Sequence, residues 1–442
     1  MVEQSESIIV IGGGLAGLSA AATILSEGFN GDLILLERAP FLGGRTSTVD
    51  YRGRKLDLGQ HMHVSGFEAY LEFLNLIGLG DSIRTQTRLE AEFRDGSGTR
   101  GVVKSNSLPP PLHLASSLIS FPFISAIDKV SLAGPLLPTL LFNYDSDNKR
   151  ASFGDWLRGR GATDRSLEKL WNQIVVPTLN ARVDEVSVPM GMMILKRVLL
   201  DKGGGRLGRL DCNLSEIGAK ASDFIADRGG EIKLSSPVTS VKRTEVGFRT
   251  ELKDGSMVES EDVLLAVPGH RLKKLLSKKI MSEFSTPFWD LEWNSILNLH
   301  LFYSESVMDS EFFGFLEGTA GWVFNVDWQE PKSGKHICLT LSDPGELEEM
   351  EKENLVELAE QELSGPLPRI KSATLKDSVV LYQPKATFKP TPGSSSLRPP
   401  QNPNIQGLYL AGDWTETGWP STMEGAVKSG YYAAEEILGN SL

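Results

Sequence analysis

Six residues near the start of the chain, Gly12-Gly13-Gly14-Leu15-Ala16-Gly17, follow the apolar run Ser7 to Ile11 and open an Ala- and Leu-rich stretch, Leu15 to Leu25. The first glycine of such a pattern permits a tight turn, the second lets backbone approach a pyrophosphate, and the third allows close helix packing. Amide groups at that helix end then face an anion. Glu37 stands 20 residues beyond Gly17, after the apolar run Asp32 to Leu36, where a carboxylate accepts hydrogen bonds from ribose hydroxyls. Gly43-Gly44-Arg45 comes next, and far downstream Gly407 to Asp413 reads as a strand ending in a carboxylate before a helix. Anchors so far apart suit a long cofactor bound extended, FAD, with Asp413 beside the ribityl chain. Arg45 suits the pyrophosphate by charge and forked geometry. Ser421 or Thr422 can cap a helix beginning near Met423. Its amide end would face the flavin edge where negative charge gathers on reduction.

These groups need a scaffold, and the spacing supplies one. Strand, glycine turn, helix and second strand make a unit with two parallel strands flanking a helix. A helix is expected over 66–77. Another, Ala219 to Asp227, leads to strands at Glu231 to Leu234 and Val238 to Lys242. Asp254-Gly255 marks a hairpin between Phe248 to Leu252 and Ser256 to Val258, and Val263 to Val267 reads as a buried strand. Glu346 to Leu363 is expected to form one amphipathic helix with an acidic face. Strand Leu408 to Ala411 and helix Met423 to Leu438 follow a Pro- and Ser-rich connector. A second glycine pattern, Gly203-Gly204-Gly205-Arg206-Leu207-Gly208, has no apolar strand before it and no helix after it. It reads as a mobile loop, so no separate nicotinamide domain is expected.

Composition narrows the class. The 442 residues allow two or three domains. With 40% hydrophobic and 23% charged residues, the chain is globular rather than disordered or an integral membrane bundle. A net charge of -12 argues against nucleic acid as partner. Cys212 and Cys338 are far apart, which excludes a redox dithiol pair and a zinc site, and no metal is expected. The expected compartment is cytoplasmic. Ser7 to Ser26 is long enough to mimic a membrane span, but Glu3 and Glu6 precede it and glycines break it. Residues 105–143 mix prolines with bulky apolar residues and read as a greasy cap that could contact a membrane surface.

The dinucleotide motif, the acid followed by Gly43-Gly44-Arg45, and the Gly412-Asp413 segment together resemble the flavin-containing amine oxidase and carotenoid desaturase superfamily. The run Ala411-Gly412-Asp413-Trp414-Thr415-Glu416-Thr417-Gly418-Trp419-Pro420-Ser421-Thr422-Met423-Glu424-Gly425-Ala426 looks like that of the bacterial hydroxysqualene dehydroxylases. So do Gly59-Gln60-His61, Pro177-Thr178-Leu179-Asn180, Gly321-Trp322-Val323-Phe324 and Lys385-Ala386-Thr387-Phe388. Gln60 replaces the asparagine usual there, and His63 stands at a position usually apolar. The resemblance implies an α/β fold: a Rossmann-like FAD-binding domain of the GR2 type, an inserted α+β substrate-binding domain and a helical cap. The FAD domain would be built from residues 1–85, 210–270 and 400–442. The substrate domain would take 86–209 and 271–399, with the cap at 105–143. FAD contacts are expected from Gly12, Gly14, Leu15, Ala16, Gly17, Glu37, Arg38, Gly43, Gly44, Arg45, Val238, Gly412, Asp413, Thr422 and Met423, with Val238 at the adenine.

The same resemblance implies removal of an allylic hydroxyl from hydroxysqualene by hydride from reduced flavin, giving squalene, a triterpene precursor. Trp322, Phe324, Phe388 and Trp419 would wall the pocket and stabilise allylic cation character. His61 is the catalytic candidate, the polar group nearest the reacting centre. The expected partner is a hydrophobic polyprenoid substrate, and the electron donor is open. Phytoene or carotenoid desaturation is the rival activity, and a non-catalytic prenyl-lipid carrier on the same fold is the rival of another class.

Overall fold

The computed structural model describes residues 6–141, 151–200, 205–319, 321–327 and 333–439. Residues 142 and 143 of the expected cap, and Gly203 and Gly204 of the second glycine pattern, lie outside them. The last two residues of that pattern open the strand Leu207–Leu210, not a helix.

Five parallel strands form the sheet that receives the glycine turn. Their order is Glu231–Lys233, Asp32–Leu36, Ser7–Ile11, Asp262–Leu265 and Leu408–Leu410. A parallel sheet is covered on both faces, so its strands read as continuous apolar runs. Here Ile8, Val10, Leu33, Leu35 and Leu264 pack to one side, while Ile9, Ile11, Leu36, Val263 and Leu265 pack to the other. The helix Leu15–Ser26 covers the first side together with Met423–Leu438. Small residues let these two helices touch: a Cβ at Gly430 would sit 2.1 Å from Ser19 Oγ and 2.4 Å from Ala16 O. Ser19 Oγ donates to Val427 O at 3.3 Å. The two ends of the chain are thereby locked side by side.

The hairpin Val238–Arg243, Phe248–Leu252, Met257–Ser260 turns at Gly255, whose φ of +88 fits the Asp254-Gly255 signal. The helix before it begins earlier than expected, at Ser215. Asp57 Oδ1 and Thr48 Oγ1 accept the N–H groups of Leu214 and Ser215, which would otherwise be orphaned at that end. The stretch expected as one helix from Glu346 to Leu363 is split into a short 3-10 turn, Gly345–Glu349, and the helix Lys352–Leu363. Extended backbone at Met350 separates them, and Ser295 and Tyr382 both hold Glu348 in the first piece.

A second, seven-stranded sheet runs in the order Leu375–Phe388, Trp293–Tyr303, His336–Ser342, Trp322–Asn325, Phe312–Phe315, Glu90–Arg94, Arg100–Lys104. One face carries Leu297, Leu299, Leu301, Ile337, Leu339 and Leu341, packed on Leu355, Ala359 and Leu363 of the helix Lys352–Leu363. The alternate positions Asn298, His300, Cys338 and Thr340 form a polar column on the other face. Short helices, among them Ala115–Ser120, Ala126–Ser131 and Ala133–Leu141, occupy the stretch read as a cap. Phe121, Phe123, Trp156 and Trp171 are buried beneath them, while Ile119, Ile127 and Val130 are 69%, 75% and 77% exposed. No helix among the described residues is long and apolar enough to cross a membrane.

Candidate active site

The carboxyl ends of the parallel strands converge on the glycine turn. Gly12 has φ of +115, and a Cβ there would lie 2.4 Å from Ala266 O. One at Gly17 would lie 1.9 Å from Gly12 O, whereas one at Gly14 would meet nothing within 4 Å. Space therefore opens in front of Gly14 at the end of the helix that Leu15 and Ala16 begin. Gly13 N donates to Glu37 Oε2 at 2.7 Å, and Ala39 N donates to Glu37 Oε1 at 2.8 Å. The carboxylate is fixed beside the turn with a lone pair left on each oxygen. Gly43 N donates to Gly13 O at 2.8 Å, and Gly43 and Gly44 both have positive φ. Ser236 N donates to Glu37 O at 2.8 Å, which brings the start of the Val238 strand alongside. Arg38 is exposed at the same edge.

Arg45 and Asp413 meet. Arg45 donates to Asp413 through both terminal nitrogens, at 2.8 and 2.7 Å, and to the Ala386 carbonyl. Ser421 Oγ also donates to Asp413, so the carboxylate is buried with its charge matched. The sequence placed these two residues in separate roles; the pairing across the chain was not legible. Gly412, with φ of +146, donates its N–H to Ser429 Oγ at 2.8 Å. Thr422 Oγ1 accepts from Gly425 N at 3.1 Å, the expected cap of the helix starting at Met423.

Three further residues escaped the sequence reading. Arg398, buried in the Pro-rich connector, donates to Asp413 O and Thr417 Oγ1 at 3.2 Å and to Thr415 O. Glu424 is buried and accepts from Ala69 N and Tyr70 N at 3.3 and 2.9 Å, capping the helix Glu68–Leu76. His270 follows the strand Asp262–Leu265. Burial first, and then the charges of Lys385, Arg271 and Arg45, push its imidazole down to about 4. The run Pro268-Gly269-His270-Arg271 after a buried strand was the available signal for a cationic edge.

A cleft lies between the loop 57–62 and the seven-stranded sheet, lined by Asp57, Gln60, His61, Met62, Phe312 and Phe324, among others. Trp322 and Phe324 stack at 6.4 Å between ring centroids, and Phe312 lies 5.7 Å from Trp322. Phe388 and Trp419, expected as walls of the same pocket, do not line this cleft. Phe388 has no exposed surface; its strand end turns into the core around Phe288 and Trp414, with the Arg398 guanidinium 4.9 Å from its ring. Trp419 packs edge-on against Phe67 at 5.6 Å in the core on the helix side of the parallel sheet. His63 is buried, 3.0 Å from Thr85 Oγ1 and packed on Gly208. Its place is structural.

His61 Nδ1 lies 2.9 Å from Gly59 O. A carbonyl only accepts, so Nδ1 carries the proton and Nε2 is an acceptor in the neutral ring. Burial, aided by the charge of Arg45, holds the imidazole below its usual range and so keeps it neutral. Asp57 shows the opposite trend: burial raises its carboxyl above the usual range, against the hydrogen bonds from Thr48 and Leu214. It is thereby disposed to hold a proton more than an exposed aspartate is.

The flavin containing amine oxidoreductase family matches residues 15–438. The chain belongs to that family. Among its relatives, the hydroxysqualene dehydroxylase of Zymomonas mobilis is 26% identical over 98% of this chain and 99% of its own. The tomato 15-cis-phytoene desaturase is 27% identical over 98% of this chain and 77% of its own. An oxidoreductase from Methanosarcina mazei superposes with a TM-score of 0.73 at 18% identity, over 98% of this chain and all of that one, and so shares the fold. This flavin amine oxidoreductase is FAD-dependent.

Proposed function

We propose that the chain removes the hydroxyl of hydroxysqualene to give squalene. The observation that carries this reading is the cleft itself, which His61 and Asp57 line together with the aromatic rings of Phe312 and Phe324. An oxygen to be expelled needs polar groups, and an allylic carbon left electron-poor needs ring faces. Similarity to the Zymomonas enzyme over nearly the whole of both chains supports it.

FAD fits the residues at the strand ends. Gly12, Gly14, Leu15, Ala16 and Gly17 would hold the pyrophosphate in the open space before Gly14. Glu37 and Arg38 would take the ribose end and Val238 the adenine. Arg45 would contact the pyrophosphate, Gly43, Gly44, Gly412 and Asp413 would flank the ribityl chain, and the helix end at Thr422 and Met423 would face the flavin edge. Bound in its reduced form, FAD would supply the hydride that replaces the hydroxyl. Asp57 would provide the proton that lets oxygen depart as water, since hydroxide itself is a poor leaving group. We assign FAD binding to 1–85, 210–270 and 400–442 and substrate binding to 86–209 and 271–399. The exposed apolar side chains of the cap would rest on a membrane surface, from which an insoluble triterpene enters.

Phytoene desaturation is the competing reading, favoured by the similarity to the tomato enzyme. It runs hydride from carbon to flavin. Gas chromatography of products from hydroxysqualene and from phytoene separates the two: squalene from the first is expected, and conversion of phytoene alone would refute the assignment.

A further inference from the structure

Two groups lining the cleft are unmatched in complementary senses. Gln60 Nε2 is buried with only the Cys338 thiol, a weak acceptor, against its side chain. Its neighbour His61 presents the reverse, an Nε2 with a free lone pair, because Nδ1 is committed to Gly59 O at 2.9 Å.

Gln60 is backed by the polar column of the seven-stranded sheet. The Cys338 thiol lies against its side chain. Cys338 Sγ is 3.7 Å from His300 Nε2, and His300 Nδ1 is 3.0 Å from His336 Nε2. Cys338 and His300 have no exposed surface. A buried column of this kind fixes the group it supports, and Phe324 packs against Cys338 on the cleft side.

We propose that Gln60 and His61 together recognise one hydroxyl on an otherwise hydrocarbon substrate. The Gln60 amide N–H donates to the oxygen, and the hydroxyl hydrogen is donated to His61 Nε2. A hydroxyl is at once acceptor and donor and satisfies both groups. An alkene satisfies neither, and a ketone satisfies Gln60 alone. Gln60 is thus the residue that selects an alcohol over the parent polyene, an assignment that rests on the dehydroxylase reading of the same cleft.

The test uses FAD-loaded protein and follows perturbation of the oxidised flavin spectrum as hydroxysqualene or squalene is titrated in detergent. The unmodified protein is expected to prefer hydroxysqualene. Gln60→Leu is expected to reduce that preference by roughly tenfold or more, the scale of one buried hydrogen bond, with squalene affinity unchanged. Gln60→Asn is expected to retain most of the preference, and Gln60→Met replaces the leucine variant if that one fails to load flavin. A preference unchanged in the apolar variant, in a protein that converts hydroxysqualene to squalene, overturns the Gln60 assignment alone. Turnover of phytoene without turnover of hydroxysqualene overturns both the assignment and the reading beneath it.

Discussion

Gly17 and Asp413 show how differently single positions constrain the site. At Gly17 the constraint is steric: Gly17→Ala places a methyl carbon 1.9 Å from Gly12 O, so the turn must open. The expected outcome is a folded protein purified without flavin, checked by its visible absorption. At Asp413 the constraint is electrostatic. Asp413→Asn leaves the Arg45 guanidinium without the carboxylate it pairs with through both terminal nitrogens. FAD affinity is expected to fall at least tenfold, measured by recovery of free-flavin fluorescence on dilution. The proton proposed to come from Asp57 would set the pH dependence. The Asp57 carboxyl is raised by burial, so the protonated form persists to higher pH than for an exposed aspartate. Turnover of the reduced enzyme is therefore expected to decline as pH rises through that raised value, and Asp57→Asn to lose turnover while keeping its flavin spectrum. A flat profile, or an active asparagine variant, would assign the proton to another group.

Elements were legible where one period dominates. Ser7–Ile11, Asp32–Leu36 and Met423–Leu438 emerge with the bounds their patterns imply, because continuous apolar runs and a Thr cap leave little choice. The helix at Ser215 and the split after Glu349 were not legible, since their ends are set by side chains from distant strands, Asp57 and Thr48 in one case and Ser295 and Tyr382 in the other. The lining of the cleft was illegible for the same reason. Nothing local distinguishes Phe324, which faces the cleft, from Phe388, which turns into a core. The polar column on the sheet has its own consequence. Burial pushes His300 down to about 4 and His336 to about 3, so the unfolded chain binds protons that the folded one refuses. Stability is then full above about pH 6.5 and falls as pH drops toward about 4. Thermal unfolding should show a falling Tm across that window, with a shallower slope in His300→Asn/His336→Asn.

At the scale of the whole molecule, the proposed function draws on two sheets: one whose strand ends carry the glycine turn, and one that lends Phe312 and Phe324 to the cleft. The cap brings a third feature, since Ile119, Ile127 and Val130 expose apolar surface that a soluble monomer seldom presents together. Replacing all three by serine is expected to reduce co-sedimentation with phospholipid vesicles several-fold while leaving flavin content unchanged. Equal sedimentation would place the docking face elsewhere. Reductive dehydroxylation is tested most directly by photoreducing the flavin without oxygen and adding hydroxysqualene under stopped-flow observation. The oxidised flavin spectrum is expected to return with one squalene formed per flavin. A flavin that stays reduced, in a protein that binds hydroxysqualene, would contradict the assignment.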